Sequence, residues 1–137
     1  MAASVIVDAS FLVTLLSRRE SNHGWAVEQA RRSPPPWKTC EAVLSEAFHL
    51  LGRHRTSGLA ELLRRRALVC AFHLGEDTNE VLALMQKYAD VPMSFADACL
   101  VRMTELLSDP ILLTTDADFA IYRRHGRRSL PSAMPAR

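Results

Sequence analysis

Residues 4–16 read SVIVDASFLVTLL, an apolar run with an aspartate in its middle. Burying a carboxylate without a partner costs several kcal/mol or drives it to its protonated form, so a fold that accepts Asp8 here needs a use for it. Val5, Ile6 and Val7 are β-branched and apolar, the pattern of a strand buried on both faces in a parallel sheet. Asp8 falls at the C-terminal end of that strand. Ser10 is placed to cap a helix over residues 11–16.

Beyond this stretch, short apolar runs alternate with amphipathic ones, which predicts an α/β protein with a parallel sheet covered by helices. A helix fits 22–32 before Pro34, Pro35 and Pro36 stop it in a loop. Thr39 is expected to cap the next helix, CEAVLSEAFHLLGRH, in which Val43, Leu44, Ala47, Phe48, Leu50 and Leu51 share one broad face. Gly52 or the Thr56-Ser57-Gly58 cluster ends it. Further helices are expected over 59–66, over 77–88 with its acidic first turn, over 95–107 capped by Ser94, and over 116–124. Strands are expected at 68–72 and 111–114, with one more edge strand around Ser129 and Leu130. Pro131 and Pro135 leave 131–137 extended or loose. The sequence contains no repeat or linker, and 1–137 is read as a single domain.

Composition narrows the function classes. A formal charge of +2 does not by itself announce a nucleic-acid binder. Arginines nevertheless bunch at 64–66 and at Arg123, Arg124, Arg127 and Arg128. Cys40, Cys70 and Cys99 lie far apart without a C-x-x-C pair, so neither a zinc site nor a disulfide framework is expected. The N-terminus lacks a basic n-region, and no apolar stretch reaches the roughly 18 residues of a membrane span. A cytoplasmic protein without a membrane partner is expected.

In open parallel sheets, ligands bind outside the C-terminal strand ends. Asp8 ends one strand and Asp116 follows another. Glu46, in an otherwise apolar helix segment, and Asp97, in the first turn after Pro92, fit the same place. Each has an ordinary alternative: Asp8, Asp97 and Asp116 as helix-start residues, Glu46 as a solvent-facing one. Brought together, four carboxylates repel, and a hard cation is the natural remedy. An ion held by such acids can promote hydrolysis of a phosphodiester.

Four pieces of the chain, VIVDASFLVTLL, TCEAVLSEAFHLL, MSFADACLVRMTE and LLTTDADF, together resemble the PIN-domain nucleases, and among them the VapC-like toxins of toxin–antitoxin pairs. The resemblance implies a Rossmann-like three-layer α/β/α sandwich with a parallel sheet of four or five strands. It implies that Asp8, Asp97 and Asp116 hold Mg2+ or Mn2+ and that Glu46 positions a water on the ion. Ser10 and Thr115 match supporting polar positions, and Asp118 a less regular acidic one. It further implies an RNA substrate, a cognate antitoxin and a homodimer. Arg123, Arg124, Arg127 and Arg128, close after TTDADF, are candidate RNA contacts. Trp37 is expected to pack in a core or interface rather than stack on a base.

Rival chemistries find less support. A dinucleotide-binding turn needs glycines where the chain has Asp8-Ala9-Ser10-Phe11, and there is no P-loop. An aspartyl-phosphate phosphatase normally carries a second acid where Ser10 stands. The remaining alternative is a non-catalytic PIN-like module that binds RNA or protein, although a surface for RNA has no use for buried negative charge.

Overall fold

Strand β1 (Ser4–Val7) is buried along its whole length and lies at the centre of the sheet. This is a computed structural model, and it describes residues 3–136. After β1 the chain runs through α1 (Ala9–Leu16), α2 (His23–Arg32), β2 (Trp37–Thr39), α3 (Glu41–Leu51), α4 (Thr56–Arg64) and β3 (Leu68–Cys70). It continues through α5 (Thr78–Lys87), α6 (Phe95–Leu106), β4 (Pro110–Leu113), β5 (Arg123–Arg124), β6 (Arg128–Ser129) and β7 (Ser132–Ala133). The main sheet has the order β3-β2-β1-β4-β7, with every pair parallel, and helices flank it in the α/β/α manner.

The strand order reverses at β1. The chain first builds outward to β2 and β3, then crosses back to lay β4 on the opposite side of β1. Such a switch point leaves a crevice at the C-terminal strand ends, because the connections leave β1 and β4 in opposite directions. The register pairs Val7 with Leu113, so the residues just beyond, Asp8 and Thr114, face each other across that crevice.

The core explains the elements that periodicity identified. Phe11 and Leu12 of α1 are fully buried, and Phe11 meets Trp25 and Trp37 edge-on at centroid distances of 6.0 and 5.8 Å. Trp37 is thus a core residue, tied by its indole N–H to the Ser33 carbonyl at 2.6 Å. Cys40 and Cys99 are buried, and all three cysteines are free. Among the described residues no helix is long and apolar enough to cross a membrane.

Several local expectations are corrected. Residues 37–39 form a strand, hidden in the sequence because it is short, follows three prolines and alternates around Lys38. Thr39 therefore does not cap α3: its hydroxyl donates to the Val7 carbonyl at 2.9 Å, stitching β2 to β1, and Cys40 occupies the cap position. Thr56-Ser57-Gly58 begins α4 rather than ending α3, and a Cβ on Gly58 would stand 3.0 Å from Leu16 Cδ2, so glycine lets α4 lie close on α1. Residues 116–124 are not one helix. A 3-10 turn covers Ala117–Ala120, and the chain then enters an antiparallel β5-β6 hairpin whose reversal uses left-handed His125 (φ 51°) and Gly126 (φ 82°). The edge strand expected around Ser129 and Leu130 is displaced: Arg128–Ser129 belongs to the hairpin, and β7 at Ser132–Ala133, within the segment expected to be extended or loose, pairs with β4, the Leu112 amide donating to the Pro131 carbonyl at 2.9 Å.

Candidate functional site

Asp8 directly follows β1 and is the N-cap of α1, a role expected of Ser10, which instead lies within the helix and donates its hydroxyl to Asp8. Asp8 Oδ1 accepts from the Phe11 amide at 2.8 Å and from the Ser10 hydroxyl at 2.7 Å. Its Oδ2 accepts from the Thr114 hydroxyl at 2.5 Å. The capping role and the site role are therefore not alternatives, since one oxygen closes the helix while the other faces β4. Thr114 Oγ1 in turn accepts from the Asp116 amide at 2.9 Å, and Ser10 Oγ accepts from the Thr115 amide at 3.0 Å. Two hydroxyls thus lock the start of α1 to the loop after β4.

Asp116 caps the 3-10 turn, its Oδ1 accepting from the Asp118 amide at 2.9 Å. Asp97 sits in the first turn of α6, where the Ser94 hydroxyl accepts from its amide at 3.0 Å and leaves its carboxylate to other partners. One of these is Tyr122, whose hydroxyl donates to Asp97 Oδ2 at 3.0 Å. Tyr122 is fully buried between the rings of Tyr88 and Phe119, at 5.1 and 5.3 Å, so the donor is rigidly placed. Glu46 projects from the middle of α3 and is exposed, without a hydrogen-bond partner among the described residues.

All four acids line one small cleft of about 40 Å³, together with Ser10, Ala9, Val43, Ala96 and Leu100. The electrostatics register their proximity. Burial pushes Asp8 up to about 6, against the pull of its bonds to Thr114, Phe11 and Ser10. Asp97 is raised by burial and by the Asp116 charge, with Tyr122 opposing. Glu46 is raised by partial burial and then by Asp97 and Asp116. Burial and the neighbouring Asp97 hold the Tyr122 phenol far above its usual range, so it remains a donor.

The donor chemistry fits a hard cation, because the cleft offers carboxylate oxygens and Glu46, Asp97 and Asp116 each keep at least one oxygen outside these bonds, while both oxygens of Asp8 accept from the protein. Among the described residues no three His, Cys, Asp or Glu side chains form a ready-made ligand cage.

The remaining sequence candidates lie around this cleft. Thr115 enters the network through its amide, and the hydroxyl beside Asp8 belongs to Thr114. Asp118 supports Asp116 through its backbone and does not line the cleft. Arg123 donates to the carbonyls of Ala120, Ile121 and Tyr122, and Arg124 to that of Thr104. Both arginines thus fasten the hairpin to its surroundings, whereas Arg127 and Arg128 are exposed at its tip. Thr114 and Tyr122 were missed by sequence reasoning. The Thr-Thr pair after β4 was a signal for the first, but only the strand register decides which hydroxyl meets Asp8. Nothing in the sequence links Tyr122 to Asp97.

The PIN domain family model matches residues 5–124, a span running from β1 to the hairpin and containing all four acids. The chain belongs to the PIN-domain family. Among solved structures, this PIN domain is similar to VapC20 of Mycobacterium tuberculosis, described as a sarcin-ricin loop cleaving toxin. The TM-score is 0.74 at 25% identity, over 86% of this chain and 94% of that one. The match supports a VapC-like PIN domain, and the five-stranded parallel sheet agrees with that fold. No curated protein matches the sequence.

Proposed function

We propose that this PIN domain is a divalent-metal-dependent endoribonuclease, the toxin of a toxin–antitoxin pair, hydrolysing RNA phosphodiester bonds with Mg2+ or Mn2+. The observation that carries the reading is the convergence of Asp8, Glu46, Asp97 and Asp116, from four separate segments, on one cleft. Similarity to a toxin that cleaves an RNA loop supports the substrate class.

Asp8, Asp97 and Asp116 would hold the ion, their carboxylates oriented by Thr114, Tyr122 and the Asp118 amide respectively. When bound, the ion supplies positive charge to the phosphate oxygens and acidifies the attacking water. Glu46, the least restrained of the four, positions that water and accepts its proton, a role served by its raised affinity for protons. Arg127 and Arg128, exposed on the hairpin, would anchor RNA phosphates, while Arg123 and Arg124 shape the hairpin that presents them. A cognate antitoxin and a second copy of the chain complete the proposed partnerships.

Incubating the protein with transfer, ribosomal and messenger RNAs in Mg2+ or Mn2+ tests the reading. Cleavage by the wild type, lost at least a hundredfold in both Asp8→Asn and Asp97→Asn with circular dichroism unchanged, is expected. Wild-type inactivity on every RNA with both ions would favour the non-catalytic RNA- or protein-binding module.

A further inference from the structure

A second, larger cavity adjoins the acidic cleft, and we infer that it is a nucleobase subsite that selects guanine next to the scissile phosphate. The inference rests on the nuclease reading and extends it to sequence preference. The cavity measures about 290 Å³ and is lined by Ser10, Val13, Thr14, Glu20, Leu50 and Thr115. Ser10, whose hydroxyl donates to Asp8, lines both spaces, so they are neighbours across this residue.

Helix geometry sets the offset between them. Val13 and Thr14 follow Ser10 by three and four positions on α1, and Leu50 follows Glu46 by four on α3, so the cavity lies one turn beyond the acids between the same two helices. One turn is about 5.4 Å, the order of the separation between a nucleotide's phosphate and its own base. A phosphate at the acids therefore carries its base into this cavity. The walls suit a base plane: Val13 and Leu50 are apolar, and Leu50 is exposed and accessible to a ligand.

Specificity is assigned to Glu20. Its carboxylate is exposed, lines the cavity and forms no salt bridge among the described residues. An ionised carboxylate only accepts hydrogen bonds, and guanine alone presents two adjacent donors, N1–H and N2–H, that it can engage together. Uracil offers a single imino donor flanked by carbonyls, which a carboxylate repels.

Binding of GMP, AMP, CMP and UMP in Mg2+, followed through backbone amide chemical shifts, tests this without relying on cleavage. Expected are shifts at Val13, Thr14, Leu50 and Thr115, with GMP bound roughly tenfold more tightly than UMP. Glu20→Gln should bring the two within about twofold, and Leu50→Ala should weaken all four. Equal affinities in the wild type, a GMP preference unchanged in Glu20→Gln, or shifts confined to Asp8 and Asp97 would overturn the subsite and leave the nuclease standing. Base-selective shifts in a protein that cuts no RNA would instead overturn the nuclease and keep the subsite.

Discussion

The carboxylate of Asp8 illustrates how one side chain serves stability and chemistry with opposite signs. Its folded-state affinity for protons is raised, to about 6 from 3.8, by burial. The stability of the protonated form is fully present below about pH 4 and is lost as pH rises through 6. In chelator, wild-type stability should therefore fall across that window by up to about 3 kcal/mol, the shift converted at about 1.4 kcal/mol per unit. Asp8→Asn keeps an acceptor for Phe11 and carries no charge, so in chelator at pH 7.5 it should unfold at higher urea than wild type while cutting no RNA. A lower midpoint would mean that the hydrogen bonds outweigh the buried charge. Tyr122→Phe removes one hydroxyl and leaves its ring between Tyr88 and Phe119. Cleavage should drop about tenfold, with stability reduced by about 1 kcal/mol, as read by initial rates and urea titration. That the four acids would meet was legible in the sequence from their places at strand ends and in helices together with the four motifs taken as a set, since each acid alone also reads as an ordinary cap or surface residue. Their orienting groups were not, since a tyrosine or threonine in a core looks like any other core residue.

At the scale of elements, the decisive contact is the lock between the N-terminus of α1 and the loop after β4. Thr114→Val deletes the donor to Asp8 and the acceptor for the Asp116 amide, leaving buried polar groups unpaired. Stability should fall by about 1–3 kcal/mol, and cleavage should fall further than stability accounts for, because two of the acids lose their orientation together. Denaturation midpoints compared with single-turnover rates separate the two effects. The same scale shows where periodicity stops informing. Helices α3, α5 and α6 and strands β1 and β4 were visible in the sequence because each carries enough apolar residues to repeat its period. Strand β2 is only Trp37–Thr39 and is held by its neighbours on both sides, and the β5-β6 hairpin depends on side chains reaching α6: the His125 amide donates to Glu105 at 2.7 Å and Arg124 grips Thr104. Short elements such as these take their conformation from tertiary contacts that no local window contains.

For the whole molecule, the site is a property of the topology: it exists because the strand order reverses between β1 and β4. An ion bound by the folded state alone stabilises it by mass action, about 2.7 kcal/mol at a hundredfold excess over its dissociation constant. For a chain of this length that corresponds to roughly 5–10 °C in melting temperature. Mn2+ should raise the wild-type melting temperature by that order, EDTA should reverse the gain, and Asp97→Asn should abolish it, as followed by thermal circular dichroism. The reversal also has a consequence for synthesis on the ribosome. Asp8, Glu46 and Asp97 are translated first, but Asp116 arrives only with β4, the strand that must slot beside β1 to bring the quartet together. A polypeptide stalled before that point carries three acids and no complete crevice. Chains that stop before β4 should therefore lack the Mn2+-dependent rise in melting temperature expected once all four acids are in place.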